Sequence, residues 1–238
     1  MWKNILKILA CFFFGIFGGI FADQILWPYF IEKPLFYQYR LEQAPVYLTE
    51  KKEFFIEENT ALKDVIEKIE KTIVGIQTKL KNGTVLEGSG LIISSDGLVV
   101  TLAELVPVGG QTKIFWEGEN PSFQVLKRDL KENLALLKIS KNNLPTVEFF
   151  DWDKLRIGER VFLYGNIFEK EMSRKMVNEG IVKYFDENLI RTNIFEKNTL
   201  NGSALFNIEG KVLGINIVDK EGKVASLSNN KIKNFAGF

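Results

Sequence analysis

The chain has 238 residues and a formal net charge of +1, with 46% hydrophobic and 26% charged residues. This composition indicates a globular domain with an additional segment, and it argues against an extensively disordered chain. The near-neutral charge also argues against a nucleic-acid-binding protein, because phosphate binding requires a concentrated basic surface. The sequence contains one cysteine and no histidine. We therefore predict no intrachain disulfide, no metal site and no cofactor, and the commonest general base of enzymes is missing.

The amino-terminal segment is predicted to span a membrane. Residues 5–22 are apolar apart from Lys7, and a helix of this length rises about 27 Å, close to the hydrocarbon thickness of a bilayer. Lysines precede the span and Asp23 follows it, so the positive-inside rule predicts a cytoplasmic amino terminus and an extracytoplasmic domain, periplasmic or extracellular. Residues 1–22 would form the cytoplasmic end and anchor, and residues 23–58 a stalk next to the membrane.

Other interpretations of this segment remain open. A cleaved signal peptide requires small residues at its cleavage site, and Ala22 is the only small residue in the stretch 20–22. The sequence ILAC, ending at Cys11, resembles a lipoprotein signal, but more apolar sequence follows it. Gly15 and Gly19 have the spacing of a helix-dimerisation motif. We retain an uncleaved single-pass anchor as the prediction.

The rest of the chain is predicted to be mostly β-structure after one helix. Apolar residues recur at helical spacing at Leu62, Val65, Ile66 and Ile69. Short runs typical of strands then alternate with turn residues such as Asn-Gly and Asp-Gly. Examples of these runs are Ile73–Gln77, Leu91–Ile93, Leu98–Thr101, Lys113–Trp116, Leu134–Ile139, Arg160–Tyr164, Gly180–Tyr184, Leu189–Thr192 and Val212–Val218. Many short strands at close spacing indicate an all-β barrel or sandwich.

Four motifs identify a known family by their order along the chain. They are GSGLIISSDGLVVTLAELV at 88–106, NLALLKI at 133–139, LRIGERVFLYGN at 155–166 and LFNIEGKVLGIN at 205–216. Together they resemble the HtrA/Deg family of trypsin-like serine proteases over nearly all of residues 60–230.

The resemblance implies an all-β fold of two six-stranded antiparallel β-barrels, with any active site in the cleft between them. Barrel one would cover residues 59–145 and barrel two residues 146–238. An amino-terminal anchor suits the family. Many members also carry a PDZ domain, which we do not expect here because the sequence ends at Phe238. Since the family includes trimers, a homo-oligomer is an open alternative.

The family's catalytic triad is predicted to be lost. Carried over by position, its histidine falls on Glu104 in TLAELV, and its aspartate falls on Asn133 in NLALLKI. Counting back from the Leu205 motif places its serine on Asn201, and counting forward from Thr192 reaches the same residue. Because the family's mechanism requires serine, histidine and aspartate together, the resemblance implies that none of these positions is catalytic.

The loop that would form the oxyanion hole is predicted to be a remnant, consisting of Thr199, Gly202 and Ser203. Thr199 replaces the glycine whose backbone N–H helps to form the hole in the family, and a β-branched residue tolerates such a turn poorly. Ser203 lies two residues after the nucleophile position. We also expect the amides of Asn133 and Asn201 to donate hydrogen bonds to the Glu104 carboxylate, forming a satisfied polar cluster.

Three functions follow as hypotheses. The favoured one is a catalytically inactive, HtrA-like protein, anchored by its amino-terminal helix, that binds or scaffolds proteins or extended peptides in the cell envelope. The first alternative is an active serine endopeptidase that uses Ser203 with Glu104 as its base, although an unassisted carboxylate is a poor base for a hydroxyl. The second alternative is a structural envelope protein that spaces other components.

Overall fold

A computed structural model of the chain describes residues 2–32, 58–169 and 172–238. The chain divides into two compact units, residues 1–55 and residues 56–238. The second unit contains all of the motifs discussed above.

The described part of the first unit is helical. Helix α1 covers Trp2–Phe21 and continues as a π-helical segment over Ala22–Glu32. In the described residues, Trp2–Trp27 is the one helix long and apolar enough to cross a membrane, with a mean hydropathy of 2.3, and a signal sequence would meet the same criterion. The helix extends into the predicted stalk, and the remainder of that stalk, residues 33–57, lies outside the described residues.

The second unit confirms the predicted all-β fold. Helix α2 (Glu58–Ile69) comes first and helix α3 (Asn229–Ala236) comes last. The strands between them are β1 (Ile73–Lys79), β2 (Val85–Ile92), β3 (Leu98–Thr101), β4 (Gln111–Phe115), β5 (Phe123–Asp129), β6 (Leu134–Ile139), β7 (Arg160–Glu169), β8 (Met172–Phe185), β9 (Leu189–Phe195), β10 (Ala204–Asn207), β11 (Val212–Val218) and β12 (Lys223–Ser228).

These strands form two antiparallel six-stranded sheets. The first has the order β4-β1-β2-β3-β6-β5 and forms a half-barrel with β4 and β5 at its edges. The second has the order β10-β11-β12-β9-β8-β7 and closes into a barrel. The turn residues predicted from sequence permit the tight connections, since Gly83, Gly97 and Gly210 all have φ between 81° and 98°, a region that glycine enters without a steric cost.

Strand β7 links the two apolar cores because its side chains alternate between them. Phe162 and Tyr164 belong to a cluster that also contains most of the buried residues of the first sheet. Val161 and Leu163 point the other way, into the core of the closed barrel. Adjacent side chains of a strand face opposite sides of the sheet. The two sheets therefore share the first of these cores, and this shared packing fixes the loops that meet at their junction.

Candidate functional site

The short 3₁₀ turn Ala103–Leu105, which follows β3, carries Glu104 to the protein surface. Two side chains hold this turn in place. The Thr78 hydroxyl donates to the Leu105 carbonyl at 2.6 Å, and Arg128 Nε donates to the Ala103 carbonyl at 3.0 Å. Ala103 and Leu105 are buried, whereas Glu104 is exposed. The backbone of the turn is thus fixed while its carboxylate stays accessible.

Asn133 supports the backbone of this turn. Its Oδ1 accepts a hydrogen bond from the Glu104 N–H at 3.3 Å, and its carbonyl accepts one from the Ala103 N–H at 3.2 Å. Its φ of 51° lies in the left-handed region, which asparagine tolerates better than most residues. The expectation that Asn133 donates to the Glu104 carboxylate is therefore wrong, because its oxygen is turned toward the peptide N–H.

Asn201 joins Glu104 to the closed barrel. Its Nδ2 donates to Glu104 Oε1 at 3.0 Å, as the sequence predicts, and its Oδ1 accepts from the Val218 N–H at 2.6 Å. Each end of its amide therefore has a partner within the protein. The structure brings Glu104, Asn133 and Asn201 together, and it links them through one side-chain bond and one side-chain-to-backbone bond.

The backbone of the loop that carries Asn201 also forms hydrogen bonds within the loop. Residues Asn198–Leu200 form a 3₁₀ turn, and the Asn201 N–H donates to the Asn198 carbonyl at 3.0 Å. Leu200 is fully buried and packs in the barrel core. An oxyanion hole needs backbone N–H groups aimed at an empty position where negative charge develops. The Asn201 N–H, at the position predicted for the nucleophile, already donates to the Asn198 carbonyl oxygen.

Ser203 lies inside the barrel. It has no solvent exposure, its Oγ accepts from Asn216 Nδ2 at 3.0 Å, and its N–H donates to the Leu200 carbonyl at 3.1 Å. Gly202, just before it, has a φ of 77° and donates its N–H to the Asn216 carbonyl. These bonds anchor the end of the loop to strand β11, so the Ser203 hydroxyl faces the barrel and not the cleft.

Ser89 is a component of the site to which the sequence analysis assigned no role. Its N–H donates to the Asn201 carbonyl at 2.9 Å, and its buried Oγ accepts from the Asn166 N–H at 2.8 Å. The flanking glycines of the GSG motif allow β2 to approach this closely, since a Cβ on Gly88 would overlap the Asn201 carbonyl. A serine between two glycines, preceding an apolar run, was the available signal.

A cleft with a volume of about 340 Å³ lies over these residues. The first sheet and its loops contribute Val85, Leu86, Glu87, Glu104 and Leu105 to the lining, and the Asn201 loop contributes Asn198, Thr199 and Asn201. Val85 is 47% exposed there. The lining therefore has three apolar side chains and five polar or charged ones, so the cleft offers hydrogen-bonding groups beside a small apolar surface. Across the part of the chain that the structure describes, no group of three or more His, Cys, Asp or Glu side chains could hold a metal ion.

Comparison with known proteins identifies the family. The sequence profile of the family described as "Trypsin-like peptidase domain" matches residues 88–215, which is more than half of the chain. The chain therefore belongs to the trypsin-like peptidase domain family.

Relatives of the chain include three proteins that each carry the name "Probable periplasmic serine endoprotease DegP-like". The chain is 31% identical over 138 residues to the protein of Halomonas elongata and 34% identical over 138 residues to that of Pseudomonas putida strain F1. It is 32% identical over 139 residues to that of Chlamydia muridarum. The matches cover 54–55% of this chain and 28% of each relative's length. They support the predicted relationship to HtrA/Deg-type proteases.

Proposed function

We propose that this chain is a membrane-anchored pseudoprotease, which binds extended protein segments in the cell envelope without cleaving them. The observation that carries the proposal is the environment of Asn201. Its backbone N–H and both ends of its side-chain amide are engaged by Asn198, Glu104 and Val218. The position at which the family has its nucleophile therefore serves as a structural connection between the two sheets.

The chemistry at the triad positions supports the absence of cleavage. A neutral amide has no acidic hydroxyl proton that a neighbouring base could remove, and Glu104 stands where the mechanism needs an imidazole. In a serine protease, loss of the triad removes roughly six orders of magnitude in rate. Because the Asn201 N–H already donates to the Asn198 carbonyl, it would not be available to stabilise the transition state, and this would lower the rate further.

The alternative endopeptidase would require Ser203 to act as the nucleophile. Its complete burial and its bond to Asn216 speak against this role, as does its position outside the lining of the cleft. Activation would require the whole loop to rearrange, because the Gly202 and Ser203 N–H groups are both bonded to backbone carbonyls.

The cleft supports peptide binding because it places a small apolar surface beside hydrogen-bonding side chains. Val85 and Leu86 lie on one side, and Asn198 and Thr199 lie on the other. A structural protein that merely spaces other components would have no need for an accessible cleft. Peptide binding therefore separates the pseudoprotease from the structural alternative.

The membrane position is part of the same proposal. The helix Trp2–Trp27 is long enough to span a bilayer, and the names of the relatives describe them as periplasmic. With the charge order around the span, this favours an extracytoplasmic domain. A reporter that is active only in the cytoplasm, fused after Phe238, should be silent, and strong activity would reverse the orientation.

A site-specific crosslink tests the binding role. A photoreactive amino acid at Thr199 in the full chain should crosslink to unfolded casein on illumination. The same group at Ile208, which is 50% exposed and lies outside the cleft lining, is the matched control and should give no adduct. Equal yields at the two positions, or no adduct at either, would favour the structural alternative.

A further inference from the structure

A second cavity, of about 500 Å³, lies between the first sheet and the hairpin formed by β7 and β8. The end of β4 and the turn after it contribute Phe115, Trp116 and Glu117, and the hairpin contributes Asn166, Met172 and Lys175. None of these residues lines the cleft over Asn201. The volume falls within the range of about 300–1,000 Å³ that is typical of small-ligand sites.

The hairpin presents a polar face to this cavity. Asn166 and Lys175 are directly opposed across β7 and β8, and Phe168 and Ser173 form the next pair on the same face. Strand β1 makes room for this face at Gly75. A Cβ there would lie 2.9 Å from Ser173 Oγ, 3.0 Å from Phe168 Cζ and 3.1 Å from Asn166 Nδ2. The glycine thus allows the hairpin to pack closely while its polar groups still reach the cavity.

Asn166 leaves an acceptor unused in this place. The residue is 1% exposed, and its Oδ1 has no hydrogen-bond partner among the described residues. A buried polar atom without a partner is destabilising, because it has lost its hydrogen bonds to water without replacing them. A ligand that brings an N–H to this oxygen would recover that free energy.

Lys175 supplies a cation opposite this acceptor. The residue as a whole is accessible to solvent, but its Nζ turns inward and donates to the Ile73 carbonyl at 2.7 Å. The described residues give it no second hydrogen bond, and an ammonium has three protons to donate. Desolvation lowers the pKa of Lys175 to about 8, while the carboxylates of Glu117 and Glu70 act in the opposite direction.

The walls of the cavity are aromatic. The Phe115 ring packs edge-on against Phe168, with centroids 5.2 Å apart. The Trp116 indole N–H is already used, because it donates to the Lys71 carbonyl at 2.8 Å. Met172, which is 57% exposed, adds a flexible thioether. The site therefore offers apolar surface beside the Lys175 ammonium, the neutral Asn166 acceptor and the exposed Glu117 carboxylate, which a bound carboxylate would have to avoid.

We propose that this cavity is a second binding site, for a peptide segment that places a carboxylate against Lys175 and a neighbouring backbone N–H against Asn166. An apolar side chain next to the carboxylate would lie along Phe115 and Met172. The carboxylate can come from a peptide's carboxyl terminus or from an acidic side chain. Both sources present the same chemistry to Lys175, and the experiment separates them.

Binding of defined peptides to the full chain in detergent tests the proposal. The probes are acetyl-Ala-Ala-Phe with a free carboxylate, the same peptide as its carboxamide, and acetyl-Ala-Glu-Phe-amide, with affinities measured by calorimetry. The free acid should bind at least tenfold more tightly than the carboxamide, since a charge-assisted bond is lost. The third probe reports whether a side-chain carboxylate suffices. Equal affinity of all three, or no binding of either acid, overturns the proposal.

Variants assign the binding to this cavity. Lys175→Met should weaken the acid probe by tenfold or more, and Lys183→Met, an exposed lysine of the same strand, should leave its affinity unchanged. Lys175→Arg keeps the charge and controls for misfolding, so it should retain most of the affinity. Affinity should also fall as the pH rises through about 8, the pKa of the ammonium that binds the acid. An unchanged affinity in Lys175→Met contradicts the assignment.

Discussion

The cleft over Asn201 and the cavity beside Lys175 differ in whether their asparagine side chain is hydrogen-bonded within the protein. In the cleft, the Asn201 amide is bonded at both ends within the protein. In the cavity, Asn166 Oδ1 is buried without a partner among the described residues. Ser89 connects the two places, since its N–H donates to the Asn201 carbonyl and its Oγ accepts from the Asn166 N–H.

Under the proposal that the chain is inactive, this difference illustrates how a trypsin-like scaffold can persist without its catalytic side chains. The Asn201 amide is bonded within the protein, and it holds its loop in place. By contrast, internal bonding leaves Asn166 Oδ1 without a partner among the described residues. We therefore propose a structural role for the triad positions and a ligand-binding role for the cavity, in addition to peptide binding in the cleft.

The largest effect is expected at the glycine that closes the cleft loop. Gly202→Ala would place an alanine in a left-handed backbone conformation, which costs on the order of 1–3 kcal/mol. The added Cβ would also overlap the Ser89 carbonyl. Gly109→Ala is the matched control, because Gly109 has a φ of 80° but a Cβ added to it would meet nothing within 4 Å. Thermal unfolding should show a much larger loss of stability for Gly202→Ala, and similar losses would contradict the close packing of β2 on this loop.

Restoring the triad side chains alone should not produce an efficient enzyme, because the backbone of the Asn201 loop is also unsuited to catalysis. The variant Glu104→His, Asn133→Asp, Asn201→Ser should remain a poor enzyme, because the N–H of residue 201 is bonded to the Asn198 carbonyl. Adding Thr199→Gly should let the turn reorient. Removal of one oxyanion donor costs roughly 10²–10³ in rate, so fluorophosphonate labelling should accelerate by up to that factor. Rapid labelling without Thr199→Gly would show that the 3₁₀ turn is no barrier.

Loss of the Ser89 hydroxyl should destabilise the packing around Asn166 while the Ser89 N–H keeps its bond to the Asn201 carbonyl. Ser89→Ala leaves the buried Asn166 N–H without its acceptor, which should cost about 1–3 kcal/mol in the free energy of unfolding. Ser122→Ala removes a hydroxyl from an exposed Ser–Ser bond and is the control. Denaturant unfolding of both variants measures the difference. A Ser89→Ala variant as stable as Ser122→Ala would show that the bond between the Ser89 hydroxyl and the Asn166 N–H contributes little to stability.

The smallest effect is expected at the carboxylate itself. Glu104 is exposed, and its bond to Asn201 is solvent-accessible, so Glu104→Gln should change the stability by less than about 0.5 kcal/mol. Asn201→Ala should cost more, since it also removes the acceptor of the Val218 N–H at 2.6 Å. The same unfolding measurement compares them, and a larger loss in Glu104→Gln would invert the assigned roles.

The sequence predicted the fold well where apolar residues and turn glycines coincide. The clearest strand patterns do not include β5, β10 and β12, for separate physical reasons. Strand β5 is mainly exposed, and β10 is a short run of four buried residues. Strand β12 is mostly buried and carries small polar residues among its apolar ones. None of these shows the regular apolar–polar alternation on which strand prediction depends.

The sequence also placed the triad positions together but not the details of their bonding. The direction in which the Asn133 amide points depends on its left-handed φ, which the sequence motif does not specify. Asn166, the last residue of the LRIGERVFLYGN motif, lies buried within β7, and the motif gives no indication of its side-chain oxygen, which is unpaired within the described part of the chain. The cavity at Lys175 depends on the cross-strand register of β7 and β8, and no short-range pattern encodes that register.

Intact-mass measurement of the purified full chain after incubation with a fluorophosphonate tests the central claim most directly. Because we assign Asn201 to the nucleophile position and Ser203 is buried against Asn216, we predict no covalent adduct and no cleavage of unfolded casein. An adduct on Ser203 that disappears in Ser203→Ala, accompanied by casein cleavage, would contradict it.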